Sequence, residues 1–209
     1  MGAAYAGLRR ETEKSQSEKL ARRGKGVAMR LIPHIGTNAR LNRRILSAIA
    51  QEGAITLWNT VLGDCRRVCE LQDSGGRGSA FLESLRDTAL SRGAEVCVCY
   101  NPLLPGTVSH LILPECGTAF VTTDAVFRLP RQSITKSGVN LRRMKLDAPL
   151  TMEDRRERRL IAELTDRAGD MMSKTKAAHD ELEALYNPFV DFEGVRRRAE
   201  KEIEKKLGR

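Results

Sequence analysis

Residues 71–85 read LQDSGGRGSAFLESL, and within them Gly75, Gly76, Arg77, Gly78 and Ser79 form a glycine loop with one guanidinium and one hydroxyl. Glycines let backbone N–H groups turn inward, and a loop that runs into a helix adds the unpaired amides of the first turn. Such an arrangement cradles anions, phosphate above all. A loop that acts on nucleoside triphosphates also carries a lysine, whose ammonium reaches the β and γ oxygens. This loop has no lysine. The cradle can hold an anion, while the cation that would hold a triphosphate is missing.

Other residues with chemical potential are scattered. Asp124, after TAFVTT, is the nearest carboxylate that could ligate Mg²⁺ beside such a loop; an aspartate at a strand end also serves as a turn residue. Arg77 lies inside the loop, but its guanidinium starts from a different point than the missing lysine would. Glu115 in LPECG sits at a turn, and no G-x-S-x-G elbow occurs. His34, His110 and His179 are far apart; His110 precedes an apolar stretch and reads as a structural histidine. The five cysteines (Cys65, Cys69, Cys97, Cys99, Cys116) include no C-x-x-C pair and read as small, reduced side chains rather than zinc ligands. No catalytic residue follows from these patterns.

The elements that must position the loop are legible from periodicity. RRVCELQ (66–72) alternates as a strand, and residues 79–92 carry Phe81, Leu82, Leu85, Ala89 and Leu90 at helical spacing. EVCVCY (95–100) is apolar on both faces, as a buried strand is. Strand, helix and strand within about thirty residues make a βαβ unit, which predicts a parallel sheet. SHLILP and TAFVTT add a strand or helical turn and a strand. EGAITLW adds a short strand, and residues 39–51 read as helical or mixed. Residues 131–150 hold few core signals and read as a connector. GKG at 24–26 is expected to interrupt a charged helix over 3–23.

Past residue 150 the pattern changes. Thr151 and Asp154 have capping-box spacing. Leu164, Ala168, Met171, Thr175, Ala178, Leu182 and Leu185 then step by heptad spacing. Asn187-Pro188 breaks the helix, and a second follows over about 191–207. The expectation is an antiparallel hairpin packed on the α/β unit. The chain thus divides into a basic helical arm (1–44), a P-loop-like α/β domain (45–150) and a helical hairpin (151–209).

Charge follows the same division. Of the net +9, residues 1–44 hold eleven Lys/Arg against three acids, while 45–150 hold eleven against ten and 151–209 fourteen against fourteen. A basic arm of this kind can contact nucleic acid, although it lacks the interleaved aromatics used for base stacking. No apolar run approaches the roughly 20 residues of a membrane helix, and no secretory leader is visible. The expected compartment is the cytoplasm.

From residue 45 onward the segments resemble a poorly characterised bacterial P-loop ATPase family with tandem P-loop halves. The resemblance rests on ILSAIAQEGAITLWNTVLGDCRRVCELQDSGGRGSAFLESL, HLILPECGTAFVTT and AAHDELEALYNPFVDFEGV, and is closest to the second half. The family loop is G-x-x-G-x-G-K-S/T. Here Asp73 stands at its first glycine, Gly76 and Gly78 at its second and third, and the lysine position is deleted before Ser79. The resemblance implies a P-loop NTPase-like α/β fold; if nucleotide binding is retained, ATP and Mg²⁺ are the expected ligands, with Gly75, Gly76, Arg77, Gly78 and Ser79 as the nucleotide-binding residues and Asp124 as the metal carboxylate. It also implies a protein partner or second copy, such as an active P-loop half. The departures imply weak or no hydrolysis, because phosphoryl transfer rests on charge stabilisation that the lysine would supply. A carboxylate about 5 Å from a phosphate charge costs roughly 3 kcal/mol at an effective dielectric of about 20. A binder of ATP or GTP with a non-standard loop is the alternative.

Overall fold

The computed structural model describes residues 14–33, 36–73, 76–130, 139–146 and 152–207. Its centre is a six-stranded sheet built from β1 (Arg40–Arg44), β4 (Arg67–Gln72), β5 (Glu95–Tyr100), β6 (Val108–Leu113), β7 (Thr118–Thr123) and β8 (Asn140–Lys145), in the order β1-β5-β6-β7-β4-β8. A separate hairpin pairs β2 (Ser47–Ala50) with β3 (Gly53–Thr56). The helices are α1 (Lys14–Leu31), α2 (Trp58–Asp64), α3 (Gly78–Ser91), α4 (Met152–Tyr186) and α5 (Phe192–Leu207). The protein is α/β, with a mostly parallel sheet, flanking helices and a C-terminal helical pair.

The sheet departs from the fully parallel expectation at β6, which runs antiparallel to β5 and β7. Connection length explains this. Residues 101–107 and 114–117 are too short for a crossover, which takes a dozen or more residues, so both junctions are hairpins. The βαβ unit β4-α3-β5 keeps its two strands in one direction but not adjacent.

Both edges carry charge. β1 is RLNRR and β8 is NLRRMK, and both are largely exposed. Charged edges discourage pairing with another sheet. They also hide strands from a reading based on apolar alternation. Residues 39–51, expected as helical or mixed, are two strands, and the expected connector 131–150 contains β8. In the sheet, β8 is held to β4 through buried Glu70, which accepts hydrogen bonds from Thr123 Oγ1 (2.8 Å) and Arg143 Nε (2.7 Å).

One face of the sheet packs under α1 and α3, where Ala28, Ile32, Phe81, Leu82, Leu85 and Phe120 are buried together. The described part of the segment expected as a basic arm, residues 14–33 and 36–44, is therefore not separate. Its helix packs on α3, and its last five residues are the edge strand β1. The helix also runs unbroken through Gly24 and Gly26. The opposite face is closed by Trp58, Val61 and Cys65 of the α2 region against Val68, Ala119 and Val121.

The C-terminal helices differ from the expected hairpin. Near its start α4 buries Ile161 and Thr165 and packs on β2 and β3. Gly169 lets it approach Gly53, since a Cβ there would lie 3.0 Å from the Gly53 Cα. Among the described residues nothing beyond Gly169 is buried. Met171, Leu182 and Leu185 of the heptad seam are exposed, and α5 does not pack along α4. Among the described residues α5 does not cover these seam positions; the 3-10 turn Asn187–Phe189 lies between the two helices. Thr151 lies outside the described residues. Among them, no helix is long and apolar enough to cross a membrane.

Candidate functional site

The glycine loop lies where the sequence places it, between the end of β4 and the start of α3. Ser74 and Gly75 lie outside the described residues. β4 delivers Asp73 to the C-terminal edge of the sheet beside β7, and the Asp73 N–H donates to the Thr123 carbonyl at 2.9 Å. Gly76 takes a φ of 73°, a left-handed conformation that favours glycine.

The Asp73 carboxylate then turns onto the helix. Its Oδ2 accepts the Gly78 N–H at 2.6 Å, and its Oδ1 accepts the Arg77 N–H at 3.1 Å. Asp73 is 4% exposed. These amides belong to the N-terminus of α3, where orphan donors and the helix dipole attract negative charge. In a phosphate cradle the same type of donor would face the ligand. Here two of them hold the chain's own anion. Gly78 permits this approach, because a Cβ at that position would lie 3.0 Å from Asp73 Oδ2 and 3.1 Å from Leu146 Cδ1.

The other positions are engaged as well. Ser79, where a Mg²⁺-binding hydroxyl would stand, is buried; its Oγ donates to Glu83 Oε1 at 2.5 Å and accepts the Val108 N–H at 3.1 Å. It ties the first turn of α3 to β6. The Arg77 Nε is buried with no hydrogen-bond partner among the described residues. Asp124 stands at the end of β7 next to the loop, and its Oδ1 accepts the N–H groups of Val126 and Phe127, both at 2.7 Å. That is an Asx turn. Among the described residues no group of three His, Cys, Asp or Glu side chains could hold a metal ion. Among the described residues the fit to a Mg²⁺-triphosphate is poor: the Arg77 and Gly78 amides are taken by Asp73, the Ser79 hydroxyl is committed and the loop has no lysine.

Asp73 therefore acts as a helix cap. Asp73→Ala is expected to destabilise the protein by about 1–2 kcal/mol, the usual cost of removing such a cap. Asp73→Asn should recover part of that loss, because an amide oxygen can still accept one N–H. Urea unfolding of the three proteins measures both, and equal midpoints for wild type and Asp73→Ala would contradict the capping role.

His110 sits on the opposite face of the sheet, fully enclosed. Its Nδ1 accepts the Thr122 N–H at 3.2 Å, and its Nε2 lies 3.3 Å from Ser47 Oγ. The Trp58 ring meets it edge-on at 5.6 Å. Burial pushes its pKa down to about 3, so the neutral ring is a structural link from β6 to β2. The cysteines are equally quiet. All five are free thiols, and burial raises Cys99 to about 12.

Sequence reasoning did not find the arginines gathered around Cys69. The signal was present: Arg23, Val27, Arg30 and Leu31 share one helical face, and Asn140, Arg142 and Met144 alternate on one strand face. Compared with protein-family models, curated proteins and solved structures, the chain matches none.

Proposed function

We propose that this chain is a degenerate P-loop NTPase-like protein whose nucleotide position is filled by its own carboxylate. It serves as a regulatory or partner-binding unit rather than as an efficient ATPase. The observation that carries this reading is the pair of hydrogen bonds from the Arg77 and Gly78 amides to Asp73. A phosphate on those donors would have to displace a buried aspartate and lie beside its charge. The partner-binding part draws on the C-terminal helices, where Met171, Leu182, Leu185, Phe189 and Phe192 are exposed. Apolar side chains left in water along a heptad seam are what a partner helix covers.

Thermal unfolding with millimolar Mg-ATP tests the first part. A ligand that binds only the folded state stabilises by about 2.7 kcal/mol at a concentration 100 times its Kd. No resolvable rise in Tm is expected for wild type. Asp73→Gly, which frees the two amides, is expected to gain weak stabilisation by inorganic pyrophosphate. A rise of several degrees with Mg-ATP in wild type, abolished by Gly78→Asp, would favour the non-standard nucleotide binder instead.

A further inference from the structure

We propose that the wedge between α1 and the β4–β8 edge of the sheet binds a small organic anion, a single acidic headgroup carried on an apolar body. The wedge holds a cavity of about 330 Å³, within the range of about 300–1,000 Å³ typical of ligand pockets. Its floor is apolar, made by Val27, Leu31, Phe81, Phe120 and Met144 with the Cys69 thiol. Arg23, Arg30, Arg67 and Arg142 also line it, and the charges of Arg23 and Arg142 act on the Cys69 thiol at its floor.

The fold brings these groups together. Parallel register sets Cys69 beside Phe120 on one side and Arg142 on the other. Partners at one level of a sheet point to the same face, so Arg67 and Asn140 follow with Thr118. Onto this face α1 presents Arg23, Val27, Arg30 and Leu31, positions separated by four, three and one residues. The cavity lies at the N-terminal half of β4, whereas Asp73 follows its C-terminal end, so this site is separate from the glycine loop.

Charge supplies the second half of the argument. Arg143, at the same edge, is neutralised by Glu70 at 2.7 Å. No carboxylate among the described residues lies within ion-pair distance of these four guanidinium groups. Burial raises the pKa of the Cys69 thiol, and the nearby charges of Arg23 and Arg142 offset part of that rise. Four cations with no carboxylate partner among the described residues, set over an apolar floor, attract a ligand that is negative at one end and apolar at the other. Guanidinium groups suit carboxylate, sulfonate and phosphate heads alike, because each offers two oxygens to the fork.

The test titrates the full chain with anilinonaphthalene sulfonate and with its uncharged counterpart phenylnaphthylamine, following fluorescence. One equivalent of the sulfonate is expected to bind, and decanoate should displace it. Arg23→Gln combined with Arg142→Gln is expected to weaken the sulfonate about tenfold, the effect of losing charge-assisted contacts. Binding of the uncharged probe should change little. Both arginines are exposed, and an unchanged Tm will show that the variant is folded. As an independent measure in wild type, the sulfonate should slow alkylation of Cys69 by iodoacetamide and leave Cys97 unaffected. Three results overturn the proposal: equal sulfonate affinity in the arginine variant, loss of binding on Leu182→Lys instead, or displacement by a short single-stranded oligonucleotide but not by decanoate. The second would place the probe on the exposed helical seam, and the third would make these arginines a phosphate-reading surface.

Discussion

Gly24→Val should lower the stability of this protein by about 3 kcal/mol or more, the range of severe overpacking. For a chain of this size that is a fall in Tm of roughly 6–12 °C. The cause is a contact that only glycine permits. At Gly24 the backbone of α1 crosses directly over α3, and a Cβ would fall on the Phe81 carbonyl oxygen. The obstacle is main chain rather than a side-chain tip that could swing aside. The helices must separate, and that loosens Ala28, Ile32, Phe81 and Leu85 together. Gly26, two residues on, supplies the control. A Cβ there meets only the end of the Arg30 side chain at 3.7 Å. Gly26→Ala should therefore stabilise by up to about 1 kcal/mol through helix propensity. Thermal and urea unfolding of the two variants separate the readings. If both shift in the same direction, the close crossing is not what fixes Gly24.

The same two glycines show where sequence reasoning stops. Helix propensity marks GKG as a break, and a reading by residue type cannot see that Gly24 lies over another helix. Tertiary contact overrides local preference here. The buried elements were legible. β4, α3, β5 and β7 follow apolar periods because both faces of the sheet are covered, while SHLILP, open between a strand and a helical turn, is the strand β6. The edge strands were not, since β1 and β8 are rich in arginine and owe their conformation to pairing with β5 and β4. The heptad seam was legible as a helix, while its lack of a partner within the described residues was not. A seam records that a helix can pack, not what it packs on.

The loop site was legible in its address. Strand before and helix after placed Gly76, Arg77, Gly78 and Ser79 correctly, and the missing lysine argued against a triphosphate. Asp73 read as a charge guarding the loop entrance. Its further role, filling the amide donors itself, depends on a carboxylate turning back over five residues to Gly78, which no spacing rule announces. The arginine cluster was invisible for a different reason. Its members come from three separate segments, and only the sheet register sets Arg67 and Arg142 on the face that Arg23 approaches.

His110 should make this fold lose about 2 kcal/mol between pH 7 and pH 5. In the folded protein the enclosed imidazole has a pKa of about 3, below its ordinary value of 6.5, because burial disfavours the cation. In the unfolded chain it titrates normally. Between those two values the unfolded state binds a proton that the folded state does not, so stability falls as pH falls, by about 1.4 kcal/mol per unit once pH is well below 6.5. Above that value neither state is protonated and the effect vanishes. The geometry agrees with the sign. Nδ1 is occupied as an acceptor by the Thr122 N–H, so a protonated ring would present a donor to a donor. His110→Gln should lower stability at every pH, since it disrupts contacts to Thr122, Ser47 and Trp58. It should also remove most of the difference between pH 7 and pH 5. His179, exposed on α4 beside Glu183, has no comparable burial and remains in both proteins as an internal reference. Urea unfolding at the two pH values, for wild type and variant, isolates the term. A pH dependence equally steep in His110→Gln would assign it to other groups and leave the enclosed histidine without a part in it.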